Sequence, residues 1–122
     1  MRLTANAAAG INLVKAYSAT ELRINDSVVH GSCILSADQL IEQWRPTGVD
    51  ELRLEDFEPI YALQPEIILI GSGARQRFPD RKIIGKVMGR GIGVEVMDTG
   101  AACRTYNILV SEDRRVVAAL FL

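Results

Sequence analysis

The spacing of apolar positions changes part-way along the chain. In the first third they fall in short runs. Residues 13–17 and 21–24 suit a pleated, half-buried surface. Asn25-Asp26-Ser27 then reads as a turn, because Asn and Asp tolerate a left-handed backbone and bond their own chain. Residues 28–35 return as the hairpin partner. An antiparallel meander is expected here. Residues 36–46 fit two patterns. Ser36-Ala37-Asp38 could cap a helix with Leu40, Ile41 and Trp44 on one face, or turn into a strand that ends at Trp44 and is stopped by Pro46. The strand is the expectation. Residues 55–61 read as a short helix with acids near its start, where the dipole favours them, and Pro59 fits only its first turn.

The second half is patterned more strongly. Residues 67–70 are continuously apolar, as in a strand with both sheet faces covered. Pro79-Asp80 opens a helix with Asp80 as N-cap, and Ile83, Ile84, Val87 and Met88 recur at helical spacing until Gly89. Residues 93–97 form the next strand. Asp98-Thr99 caps a second helix running to Val110, with Ala102, Cys103, Tyr106, Leu109 and Val110 facing inward. Residues 116–121 form the last strand. Strand, helix, strand, helix, strand predicts an α/β fold: a single three-layer domain, a mixed β-sheet with helices on both faces, and N-terminal antiparallel hairpins.

The chain's 122 residues suit one domain, with residues 1–10 as a loose arm and 11–122 as the folded unit. The apolar share of 48% is ordinary, and a net charge of −1 gives no general nucleic-acid binder. Cys33 and Cys103 lie far apart in sequence without metal-ligand spacing, so they read as free buried thiols in a reducing compartment. No apolar run approaches the ~20 residues of a membrane helix, and the first ten residues form neither a secretory signal nor a convincing transit peptide. A cytoplasmic protein without stable membrane insertion is expected.

Candidate chemistry gathers at two places. Gly71-Ser72-Gly73 ends the strand 67–70, where ligands bind in α/β folds, and Arg75 follows it closely. The dinucleotide fingerprint fails because position 76 is Gln76 and a loop intervenes before the helix. The plainer reading is a tight turn that needs a positive φ. The second place is the helix start at Asp98-Thr99, with Arg104, Tyr106 and Asn107 within two turns. If strands 67–70 and 93–97 run parallel, this start lies beside the Gly-Ser-Gly turn, and helix starts attract anions. The candidate ligand-binding set is Gly71, Ser72, Gly73, Arg75, Asp98, Thr99, Arg104 and Asn107. In the plainer reading Thr99 only caps, Tyr106 packs with its hydroxyl bonded, and Asn107 ties down a neighbouring loop. Gly89-Arg90-Gly91-Ile92-Gly93 lies between a helix and a strand and reads as a connector. His30 is the one histidine, no nucleophile–base pair is nominated for it, and Glu95 and Asp98 point apart. No catalytic residue, metal ligand or cofactor is nominated.

Four stretches in series resemble the Mth938-like family, formerly a domain of unknown function, over about residues 20–122. They are Pro65-Glu66 with Gly71-Ser72-Gly73, residues 91–99, residues 102–109, and residues 114–120. The resemblance implies a compact α/β domain with no established enzyme activity. The family includes the mitochondrial complex I assembly factor 3, which implies assembly of a respiratory complex through protein contacts. Glu112-Asp113-Arg114 stands where relatives tend to have Glu-Gly-Arg, and Asp113 can take a similar turn. No convincing mitochondrial presequence is read, so a bacterial protein is expected. The expectation is a non-enzymatic protein-binding or assembly factor, monomeric or weakly dimeric, with protein partners and no nucleic acid. The alternative is a small-molecule or anion-binding domain, even an enzyme, using a crevice between the Gly71–Gly73 turn and Thr99.

Overall fold

The computed structural model describes residues 10–122. The expected loose arm therefore lies, apart from Gly10, outside the described residues. Three short strands, β1 (Val14–Tyr17), β2 (Leu22–Ile24) and β3 (Ser27–Val29), form an antiparallel sheet in that order. The β2–β3 turn is where the sequence puts it, and Asn25 takes the left-handed conformation at φ 51°.

The second sheet has five strands, β4 (Cys33–Leu35), β5 (Leu40–Ile41), β6 (Ile67–Gly71), β7 (Gly93–Met97) and β8 (Val116–Leu120), in the order β5-β4-β8-β6-β7. β6 runs parallel to both β7 and β8, and β4 runs antiparallel to β8 and β5. Residues 28–35 are therefore not one strand. The chain breaks at His30-Gly31-Ser32, with β3 in the small sheet and β4 in the large one. Ser32 anchors the break: its hydroxyl donates to the Pro46 carbonyl at 2.5 Å and its own carbonyl accepts from Trp44 N–H at 3.3 Å. The strand expected over 36–46 shrinks to the two residues of β5. The expected helix over 55–61 becomes a 3-10 turn, Leu54–Phe57, running into α1 (Glu58–Tyr61), with Pro59 in its first turn.

Alternation along the large sheet builds two cores. Cys33, Leu35, Leu69, Ala118 and Leu120 face α3 (Thr99–Ser111) and the small sheet. Ile34, Ile68, Ile70, Val117, Ala119 and Phe121 face α1, α2 (Arg81–Met88) and Trp44. Both faces of β6 and β8 are covered, which explains their unbroken apolar runs. Each large buried side chain contributes about 1.5–3 kcal/mol relative to exposure. The mixed sheet with helices on both faces is thus an α/β fold. Both long helices start on the expected caps, Asp80 accepting from Lys82 N–H at 2.8 Å and Asp98 from Ala101 N–H at 2.9 Å. Met88 departs from the expected inward stripe and is half exposed. Asp113 takes φ 63° at the turn before β8, doing there what a glycine would do.

Candidate functional site

The parallel pairing of β6 and β7 puts the carboxyl ends of both strands on one side of the sheet. The Gly-Ser-Gly turn and the start of α3 meet there directly. Gly73 N–H donates to Thr99 Oγ1 at 2.8 Å, and Thr99 N–H donates back to the Gly73 carbonyl at 2.9 Å. Thr99 Oγ1 in turn donates to the Phe121 carbonyl at 2.5 Å, so one buried hydroxyl ties β6, α3 and the residue after β8 together. Ser72 is turned the other way. Its hydroxyl donates to the Arg75 carbonyl at 2.6 Å and accepts from Arg77 N–H at 2.9 Å, folding the loop after β6 upon itself. Gly73 supplies a φ of 108°, which a β-substituted residue would resist. Gly71 is needed for a different reason, a close approach: a Cβ there would lie 2.9 Å from Leu120 Cδ2 and 3.1 Å from Thr99 Cα.

No gap separates Gly73 from Thr99. The open space lies beside them, a crevice of about 420 Å³ whose lining includes Tyr17, Gly73, Asp98, Thr99, Arg104 and Phe121. Tyr17 from β1 covers Gly100 so closely that a Cβ at residue 100 would sit 2.7 Å from its ring. Arg104, one turn along α3, donates to the Tyr17 hydroxyl and holds its guanidinium 6.0 Å from the ring centroid. Asp98 already satisfies the helix start through Ala101 N–H. Among the described residues, Arg104 is the one cationic side chain of the crevice lining and Asp98 the one carboxylate side chain.

Of the eight residues singled out from sequence, Gly73, Asp98, Thr99 and Arg104 line this crevice, and Gly71 and Ser72 shape the turn behind it. Arg75 is exposed and its backbone serves the loop. Asn107 faces β1: its side-chain amide accepts from Val14 N–H and donates to the Val14 carbonyl, both at 2.9 Å. Tyr106 is buried with its hydroxyl donating to the Asn12 carbonyl at 2.8 Å. Sequence reasoning missed Tyr17 and Phe121 altogether. One signal was present: Gly100 sits in the first turn of a helix, where glycine costs about 1 kcal/mol against alanine unless something approaches closely.

Both thiols are buried. Burial pushes Cys33 and Cys103 each up to about 12, far above the thiolate range of a nucleophile at neutral pH. His30 is exposed in the break between β3 and β4, not within a strand.

The fold is that of a compact α/β domain. A family described as protein of unknown function (DUF498/DUF598) matches residues 14–121. The chain belongs to that family, whose relatives include the complex I assembly factor 3 proteins. NADH dehydrogenase [ubiquinone] 1 alpha subcomplex assembly factor 3 of Danio rerio is 34% identical over 110 residues, covering 88% of this chain and 63% of that protein. The chain thus spans less than two thirds of that assembly factor. A protein of Francisella tularensis called the 13 kDa major membrane protein is 40% identical over 84 residues, 68% of each chain. Among solved structures, a Xanthomonas campestris protein superposes with a TM-score of 0.82 at 36% identity, covering 90% of this chain and 83% of that one. A Bordetella pertussis protein described as an Mth938-like domain gives 0.81 at 27% identity, covering 99% and 92%. Among the described residues no helix is long and apolar enough to cross a membrane.

Proposed function

We propose that this domain is a non-enzymatic protein-binding module of the cytoplasm that acts as an assembly factor, holding subunits of a respiratory complex while they come together. The observation that carries this reading is the similarity to a named complex I assembly factor, which runs through 88% of the chain rather than through one motif. The inert state of both thiols supports it, since the cysteines offer no nucleophile. The domain works as a monomer or weak dimer on protein partners. The test is cross-linking of a tagged chain in its native cells, together with deletion of its gene. Subunits of a partly assembled complex are expected on the tag, and incomplete complexes are expected in the deletion strain. Fully assembled complexes in the deletion strain would count decisively against the reading.

The open crevice favours a second reading, a site for a small molecule or anion gripped by Arg104. Phosphate, nucleotides and small carboxylates are screened by thermal shift. A ligand at 100 times its Kd adds about 2.7 kcal/mol. Arg104→Ala is expected to remove that shift, and a shift that survives the substitution places the ligand elsewhere.

A further inference from the structure

Six of the chain's 14 basic residues fall between positions 75 and 90: Arg75, Arg77, Arg81, Lys82, Lys86 and Arg90. A single acid, Asp80, lies among them, and its carboxylate is turned onto the start of α2, accepting from Lys82 N–H at 2.8 Å. The chain as a whole is slightly acidic, so this segment is a strong local inversion of charge. Arg77 pairs with Asp50 at 2.7 Å, and Arg90 lies over the Tyr61 ring at 3.8 Å. Arg81, Lys82 and Lys86 make no ion pair among the described residues.

The geometry of α2 sorts these charges. Val87 is buried and Ile83 and Ile84 pack half-buried against the same core. At about 100° per residue, Arg81, Lys82, Gly85 and Lys86 occupy the opposite face, with Met88 at its margin. That face is open: a Cβ on Gly85 would meet no atom within 4 Å. Two large apolar side chains bracket it. Phe78, just before the helix, is 68% exposed, and Met88, its last residue, is 51% exposed. Apolar groups beside unpaired cations suit the boundary of an anionic bilayer. There the ring and thioether leave water while the lysine and arginine heads meet lipid phosphates.

We propose that the solvent face of α2, with Phe78 and Met88 at its ends, docks the domain peripherally on an anionic lipid bilayer. A nucleic acid would use the cations, but would leave Met88 and Phe78 without a role at the two ends of an eight-residue helix. The inference is independent of the assembly role, because it rests on this face alone.

The full chain is sedimented with vesicles of phosphatidylcholine alone and of phosphatidylcholine doped with phosphatidylglycerol. Retention is expected on the doped vesicles only. It weakens as salt shortens the screening length from about 10 Å at 0.1 M to about 3 Å at 1 M. Lys82→Gln combined with Lys86→Gln lowers the partition coefficient about 25-fold, fivefold for each cation at about 1 kcal/mol. Phe78→Ser weakens retention at every salt concentration, whereas Lys15→Gln on β1 leaves it unchanged. These side chains are exposed, so melting curves of the variants overlay the parent. Retention on neutral vesicles equal to that on doped ones, retention on neither, full retention by the double lysine variant, or tighter binding to duplex DNA or RNA than to doped vesicles overturns the proposal.

Discussion

Asn107 pairs with Val14 as a neighbouring strand would. Its side-chain oxygen accepts from Val14 N–H and its amide nitrogen donates to the Val14 carbonyl, each at 2.9 Å. The helix α3 thereby satisfies the edge of β1 and pins the small sheet to the large one. Asn107→Leu leaves both Val14 groups without a partner, at a cost of about 2–4 kcal/mol for two part-buried bonds. Asn107→Asp keeps one bond and sets an oxygen against the Val14 carbonyl, so it also destabilises. Urea titration checks both, and a variant within experimental error of the parent would show that β1 is held by other means.

Gly71, behind the crevice, and Gly100, in its wall, respond differently to an added methyl group. In Gly71→Ala the methyl meets Leu120 Cδ2 at 2.9 Å and the Thr99 backbone at 3.1 Å, inside a packed core. A loss of about 1–3 kcal/mol is expected from the overpacking. In Gly100→Ala the methyl meets only the outer ring atoms of Tyr17, which is itself 44% exposed and can swing away. The helix gains up to about 1 kcal/mol in propensity while the Tyr17–Arg104 contact is lost. The single variant stays near the parent, and in a Tyr17→Ala background Gly100→Ala becomes stabilising by about 1 kcal/mol. A double-mutant cycle on thermal unfolding reads the difference.

Acid should act through Asp56. Arg45 donates to its two oxygens at 2.9 and 2.6 Å and Arg53 N–H donates at 2.8 Å, and these bonds hold its carboxyl below the usual carboxylate range. The folded chain therefore takes up this proton at lower pH than the unfolded chain. The stabilisation is complete above the unfolded value of about 3.9 and is lost as pH falls through the folded value. Asp56→Asn should be less stable than the parent at neutral pH, and the gap should narrow below about pH 4. Denaturant melts of both proteins across that range provide the check, and a gap independent of pH would contradict the linkage.

Both thiols should resist modification. With Cys33 and Cys103 buried and pushed up to about 12, native protein at neutral pH reacts with a disulfide reagent only as fast as it opens. Two thiols per chain should react promptly in guanidinium. Prompt reaction of either one in native buffer would mean that the core around it opens readily.

The second half of the fold was legible because its signals are local. The apolar runs of β6 and β8 report coverage on both faces, and Asp80 and Asp98 cap the helices they precede. The break at His30–Ser32 was illegible because residues 28–35 look continuous. What divides them is the distant pairing of Cys33 with Leu120 and the hold of Pro46 and Trp44 on Ser32. Half the candidate crevice was visible for the same reason: Gly73, Asp98, Thr99 and Arg104 lie at ends of strongly patterned elements. Tyr17 reaches it only through the docking of β1 on α3, which no local pattern encodes. Asn107 is a polar residue beside a candidate site that serves structure, and only its partner atoms reveal that.

The position of β8 in the sheet bears on how the protein is made. It lies between β4 and β6 and pairs with both, yet it is made after every other strand of the two described sheets. Until residues 116–120 emerge, β4 and β6 have no common neighbour and both hydrophobic layers stay open. A nascent chain halted before that point carries its meander and its helices without a sheet to close on. It therefore needs shielding from other chains until β8 itself has been made.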